Sequence, residues 1–232
     1  MNSFNTIKNF YNHNTIIKYM QTDNLLHSES QKNTWHTFIL FNKNNKTLDS
    51  NLYILYLLKK YKANNTSFIL DWGCGLGQLI QDIYYTFYCK CAGLNISNKQ
   101  IKIAKSLFSK KNKIFFNTTN GSSISYNNSS FDFIVSQEAL CYSPSKLQIF
   151  KEFYRVLKPK GVLIFQDWFK NHKTLTKKAD STYKTNVKSF NTYKKSLLKA
   201  GFKNIKTHMP HNPQCCGSKK IGCISFIVVA FT

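Results

Sequence analysis

At 232 residues and 27.0 kDa the chain suits one domain with a full core, and 42% hydrophobic with 15% aromatic content excludes disorder along its whole length. The formal charge of +23 raises nucleic acid or an anionic surface as a partner, yet every one of the 33 basic residues except Arg155 is lysine, and base-edge or phosphate recognition favours arginine's planar fork, so a dedicated nucleic-acid role is not favoured. Seven cysteines without paired C-x-x-C spacing, and an N-terminus with no continuous apolar run, give the expectation of reduced thiols, no metal, no secretory signal or transmembrane segment, and a cytoplasmic location.

Segment 1–62 reads as an N-terminal helical cap. It contains no glycine, Ile7, Phe10, Tyr11 and Ile17 can share one helix face, and Leu52, Ile54, Leu55, Leu57 and Leu58 make a strongly apolar helix. The remainder, 63–232, alternates strand and helix and so implies a parallel sheet covered on both faces. Its first strand is Phe68-Ile69-Leu70, ending at Asp71. Then comes Gly73-x-Gly75-x-Gly77, after which Leu79, Ile80, Ile83 and Phe87 return at helical spacing. Strand, glycine loop and helix in that order let backbone pass close to a ligand where a Cβ would hold it off.

Tyr88 to Asn95 reads as the next strand, and Ser97 to Lys110 as a helix with Ile101, Ala104, Leu107 and Phe108 inward. Strands follow at Lys113–Phe116 and Phe131–Ser136. Ser143-Pro144 offers a capping hydroxyl before a proline at the first helical position, opening a helix through Leu147, Phe150, Tyr154 and Leu157 that Pro159 and Gly161 stop. A strand from Val162 to Gln166 ends at Asp167-Trp168. A helix from Phe190 to Ala200 stops at Gly201, and Phe202–Thr207 with Ile221–Phe231 make a terminal hairpin, its last strand antiparallel. The fold class is α/β, doubly wound, with seven strands.

The glycine spacing departs from the dinucleotide pattern Gly-x-Gly-x-x-Gly, because the third glycine comes one residue early. It resembles the first motif of class I S-adenosylmethionine-dependent methyltransferases. Two further blocks carry the resemblance: G-L-N-I-S-N-K-Q, ending at Gln100, and S-Q-E-A-L-C-Y-S-P-S-K, Ser136 to Lys146, followed by E-F-Y-R-V-L-K-P-K-G and F-Q-D-W. These are similar to the glycine/sarcosine and phosphoethanolamine N-methyltransferases, and the likeness covers essentially Ser67 to Thr232. It implies a Rossmann-like methyltransferase sheet, S-adenosylmethionine as methyl donor with S-adenosylhomocysteine as product, and no metal.

By that resemblance Asp71, Gly73, Gly75 and Gly77 lie against the methionine portion of the cofactor, while Asn95 and Gln100 take the ribose hydroxyls. Asn120 and Gly121 meet the adenine, and Ser136 lies beside the methionine end. Asn stands at two positions where the family carries acids, which leaves a weaker hydrogen-bond acceptor. Ser97-x-x-Gln100 is also a capping box and Asn120-Gly121 also a turn pair, and both readings stay open. On the acceptor side Glu138 takes the place of an acid that faces the substrate amine, and Tyr142 stands where amine-methylating relatives have a histidine paired with an N-terminal tyrosine, here Tyr11.

A phenol ionising near pH 10 is a poor general base, so Tyr142 is expected to orient substrate or shield a cation. Enzymes holding a free carboxylate or phosphate commonly use an arginine fork, and with Arg155 on a packing helix such substrates are disfavoured. Phe10, Tyr11, Trp35, Tyr142, Trp168 and Phe169 as a set suit an amine with apolar bulk or a lipid-like molecule. The expected function is methyl transfer to a small-molecule nitrogen. The alternatives are lipid carbon methylation or cyclopropanation, RNA methylation, and cofactor binding without turnover.

Overall fold

The computed structural model describes residues 50–171, 185–208 and 223–232, with the separate positions 8, 9, 12, 40, 41, 47, 48 and 180. Tyr11, Phe10 and Trp35 lie outside the described residues, as do Cys215 and Cys216. A short antiparallel ladder joins β1 (Leu40–Phe41) to β2 (Thr47–Leu48). Then follow α1 (Ser50–Lys60), β3 (Phe68–Trp72), α2 (Gln78–Phe87), β4 (Lys90–Asn95), α3 (Asn98–Leu107) and β5 (Ile114–Thr118). The chain continues through β6 (Phe131–Gln137), a 3-10 turn (Leu140–Tyr142), α4 (Lys146–Val156), β7 (Leu157–Lys170), α5 (Phe190–Ala200), β8 (Lys203–His208) and β9 (Cys223–Phe231).

Seven strands form one sheet in the order β5-β4-β3-β6-β7-β9-β8. All neighbours from β5 to β7 are parallel, and β9 runs antiparallel to both β7 and β8. The chain steps outward from β3 to β5, then returns to lay β6 on the other side of β3. In such sheets ligands bind beyond the carboxyl ends of the strands where the order reverses, here β3 with its neighbours β4 and β6.

Strand alternation divides the core. Ile69, Phe133, Val135, Ile164 and Val229 face α1, α2 and α3, whereas Leu70, Ile134, Leu163, Phe165 and Val228 face α4 and α5. With both faces covered, the strands read as continuous apolar runs. Ile54, Leu57 and Leu58 of α1 belong to the first of these cores, alongside Ile80 and Ile83 of α2.

Three local expectations are corrected. The helix after β6 begins at Lys146 with Ser145 as its cap, the Ser145 hydroxyl accepting from Gln148 N, because a residue before proline is held extended and Ser143 has ψ 127°. That helix ends at Val156, and Leu157 already opens β7, so Pro159 and Gly161 lie within the strand's first turnings. Leu107 is 65% exposed and α3 ends there, so of the expected inward residues Ile101, Ala104 and, just beyond the helix, Phe108 face the core and Leu107 does not.

Candidate active site

Asp71 and Trp72 close β3, and the glycine loop follows directly. Gly73, Gly75 and Gly77 have φ of 88°, 54° and 92°, the left-handed region that three successive L-residues would not adopt without strain. The amides of Gly73 and Cys74 both donate to Leu94 O, at 2.7 and 3.1 Å, so the loop is an extension of the β3–β4 ladder. The protein's own packing requires two of the glycines. A Cβ on Gly73 would lie 2.2 Å from the Ala139 Cβ, and one on Gly77 would lie 2.8 Å from the Phe116 ring. Through Gly73 the loop therefore touches the chain leaving β6.

Asp71 is 3% exposed, and burial, with no hydrogen bond or opposite charge among the described residues to offset it, pushes its carboxyl up to about 7. A buried carboxylate at the carboxyl end of the central strand, beside a glycine turn, has the chemistry to receive a cationic group.

On the β4 side Asn95 Nδ2 donates to Gln100 Oε1 and, at 3.5 Å, to Gly75 O, while Asn95 Oδ1 accepts from Ile96 N at 2.9 Å. The structure thus joins the two amides to each other and to the glycine loop. Gln100 N also donates to Ser97 Oγ at 3.2 Å, so half of the capping box is present as well. Asn12 accepts from the Ser97 hydroxyl at 2.6 Å, bringing one N-terminal residue to the start of α3.

Beyond β5, Asn120 Oδ1 accepts from the amides of Ser122 and Ser123 at 3.0 and 3.1 Å. This is the turn reading of Asn120-Gly121. The Gly121 amide donates to Thr119 Oγ1 at 3.1 Å, so an adenine nitrogen would share or displace that bond. This loop is pinned to α4 by Arg155, which donates to Ile124 O, Tyr126 O and Asn128 Oδ1 at 2.8 to 2.9 Å, while Glu152 accepts from Ile124 N at 2.9 Å and pairs with Arg155.

Ser136 is fully buried and its hydroxyl donates to Trp72 O at 2.9 Å, tying β6 to the end of β3. Glu138, 8% exposed, has φ of 50°, a left-handed conformation costly for a residue with a Cβ. This bend carries residues 138 and 139 over Gly73. Glu138 N donates to Gln166 O at 2.9 Å, and the Cys141 thiol reaches Glu138 O at 3.5 Å. Tyr142 is half-buried and packs in a small cluster with Cys141, Trp168, Val187 and Cys223.

Residues outside the set expected to contact cofactor or acceptor also support this side. Lys146 is 4% exposed, donates to Leu140 O and Ser143 O at 2.6 Å each, and is lowered to about 8, first by burial. Asp167, fully buried, is raised to about 7 by burial, and Tyr193 donates to its Oδ2 at 3.0 Å. Gln137 Nε2 donates to Ser50 Oγ at 2.7 Å, fastening the start of α1 to the end of β6. A lysine at a helix start looks like a solvated charge in sequence, and only the Glu152-x-x-Arg155 spacing gave a signal for its pair. Among the described residues no helix is long and apolar enough to cross a membrane.

Residues 70–165 match the family model described as "Methyltransferase domain". The sterol 24-C-methyltransferase of Eremothecium gossypii is 30% identical over 117 residues, which is 49% of this chain and 31% of that protein. The chain spans about a third of the length of the curated relatives it matches. Among solved structures, a putative sarcosine dimethylglycine methyltransferase from Galdieria sulphuraria superposes with a TM-score of 0.72 at 18% identity, over 91% of this chain and 97% of that one. Phosphoethanolamine N-methyltransferase 2 of Haemonchus contortus, in complex with S-adenosyl-L-methionine, gives 0.77 at 14% identity, over 100% of this chain and 60% of that one. At these identities the structures show a shared fold.

Proposed function

We propose that the chain is a class I S-adenosylmethionine-dependent methyltransferase, a reading supported by the family model over residues 70–165 and by the fold shared with solved methyltransferases, and that it binds S-adenosylmethionine and transfers its methyl group to a small molecule, at nitrogen. The observation that carries this is Asp71: a buried carboxylate with no partner among the described residues, beside a left-handed glycine turn. It fits the α-ammonium of the cofactor, whose charge would replace the missing stabilisation. Gly73 and Gly75 give the methionine portion a wall without side chains, the Asn95–Gln100 pair faces the ribose, and the loop of Asn120 and Gly121 meets the adenine. Ser136 acts beneath the site, holding Trp72 O.

Bound S-adenosylmethionine supplies a methyl group activated by a sulfonium. The acceptor nitrogen forms its bond to that methyl as the carbon–sulfur bond breaks and its electron pair stays on sulfur, and the product's proton leaves to a carboxylate or water. Glu138 and Tyr142 orient the acceptor, with Tyr11 as a third contact. Alignment and exclusion of water supply the rate, since no protein group need remove a proton in the transition state. Two of the chain's ten acids, Asp71 and Glu138, are buried at or just beyond the carboxyl ends of β3 and β6, and a third, Asp167, is buried within β7, in a chain of net charge +23. Such placement favours cationic ligands and amines.

A second reading, methylation at carbon of a lipid, is favoured by the 30% identity to sterol 24-C-methyltransferases. Incubation with methyl-labelled S-adenosylmethionine and cell extract decides between them. Label in water-soluble amines is the expected result. Label confined to lipid supports the second reading, label in RNA refutes both, and S-adenosylhomocysteine binding without any label would make the chain a cofactor binder.

A further inference from the structure

Lys146 stands where a cation is unfavourable on two counts. It is the first residue of α4, in the turn where the helix dipole repels positive charge, and it is 4% exposed, so its ammonium has lost nearly all hydration. What compensates is a set of bonds to one short segment. Nζ donates to Leu140 O and to Ser143 O, both at 2.6 Å, and so spans the 3-10 turn from its first residue to its C-terminal cap. The Tyr193 ring lies 5.4 Å from Nζ, and the Tyr193 hydroxyl passes the connection on to Asp167, whose charge also favours the ammonium. Asn186 ties the same turn from the other side, its amide donating to Cys141 O at 2.7 Å.

We propose that Lys146 is the positioning residue of the acceptor side: its ammonium locks the turn that carries Tyr142 and follows Glu138, and so fixes the geometry in which the methyl acceptor is received. This rests on the reading of the cleft as a methyltransferase site. The clamp acts on the sheet face covered by α4 and α5, whereas Asn95 and Gln100 lie against α3 across the sheet. The turn meets the glycine loop through Ala139 over Gly73, ahead of the residues that Lys146 holds, so loss of that lysine is expected to disturb acceptor geometry more than cofactor affinity. Leu140 and Ser143 keep a local bond, Ser143 N to Leu140 O at 3.0 Å, so without Lys146 the turn persists but is no longer fixed against α5.

The test compares full-length wild type with Lys146→Met and Lys146→Arg. Three quantities are read: the S-adenosylhomocysteine dissociation constant by calorimetry, the rate of methyl-label transfer into the acceptor fraction of cell extract, and amide hydrogen exchange at Tyr142 and Ser143. In Lys146→Met, transfer falls about a hundredfold, as expected for an acceptor misplaced by about an ångström, while the dissociation constant stays within about threefold. Exchange at Tyr142 and Ser143 accelerates, and Lys146→Arg, which keeps a charged donor, recovers most of the transfer.

Unchanged transfer in Lys146→Met, or transfer and cofactor affinity falling together, overturns the proposal. So does unchanged exchange in the turn. A wild type that binds S-adenosylhomocysteine but transfers no label to any fraction counts against the methyltransferase reading instead, and the clamp is then judged on the exchange at Tyr142 and Ser143 alone.

Discussion

Replacing Asp71 with Asn removes a titratable group and leaves the shape of the β3 end intact. The folded carboxyl ionises at about 7 against 3.8 for an unburied aspartate. The folded protein therefore holds this proton more tightly than the unfolded chain, so stability falls as pH rises from about 4 to about 7 and stays lowered above that. A difference of about three pH units corresponds to roughly 4 kcal/mol at full ionisation, of which roughly 2 to 3 kcal/mol accrues between pH 5 and pH 8.

In Asp71→Asn this slope disappears. For a domain of this size the melting temperature of the variant should rise relative to wild type by roughly 5 to 10 °C between pH 5 and pH 8. Melts of both proteins at matched ionic strength read the effect. The same samples with S-adenosylhomocysteine add the functional half: the ligand raises the wild-type melting temperature more at pH 8 than at pH 5, because its ammonium prefers the ionised carboxylate, and leaves the variant unmoved. Parallel pH curves for the two proteins would refute an unpartnered buried Asp71. An equal ligand shift in both would refute its role as the cation seat.

Gly75→Asp keeps a φ of 54° that aspartate tolerates, so folding should suffer by about 1 kcal/mol while S-adenosylhomocysteine binding is lost in calorimetry; retained binding would contradict the placement of the cofactor on this loop. Gly73→Ala, with a Cβ 2.2 Å from that of Ala139 and φ of 88°, should cost about 3 kcal/mol in denaturant unfolding, and an unaffected midpoint would show that the chain after β6 yields easily. Arg155→Met releases the loop held at Ile124, Tyr126 and Asn128. Because the guanidinium is partly exposed the stability loss should be only about 1 to 2 kcal/mol, whereas hydrogen exchange across 121–128 should quicken and cofactor affinity drop; unchanged exchange there would place the loop's order elsewhere.

The elements of this protein were legible because they are local. Apolar runs of strand length ending at Asp71, Asn95 and Ser136 and a glycine loop that only left-handed backbone satisfies are properties of neighbouring residues, and so is the helix stopped at Gly201. The parallel direction of the strands followed from the alternation of those elements, whereas their spatial order, with β9 between β7 and β8, came from the structure. Misplaced ends also have a local cause: Pro144 reads as a helix start, but the 3-10 turn before it occupies Ser143, and the cap passes to Ser145.

What only the tertiary structure decided is which polar groups answer one another across the sheet. Asn95 and Gln100 were paired in sequence as ribose contacts, yet their bond to each other and to Gly75 O depends on how α3 lies over the loop. Asn120 looks the same in sequence whether it faces a ligand or folds onto Ser122 and Ser123. Lys146, Asp167 and Tyr193 are far apart along the chain and meet only when α4 and α5 close on β7. Burial then gives each of them a consequence that no residue type carries alone, because charge without water must find its partner within the fold or in a ligand.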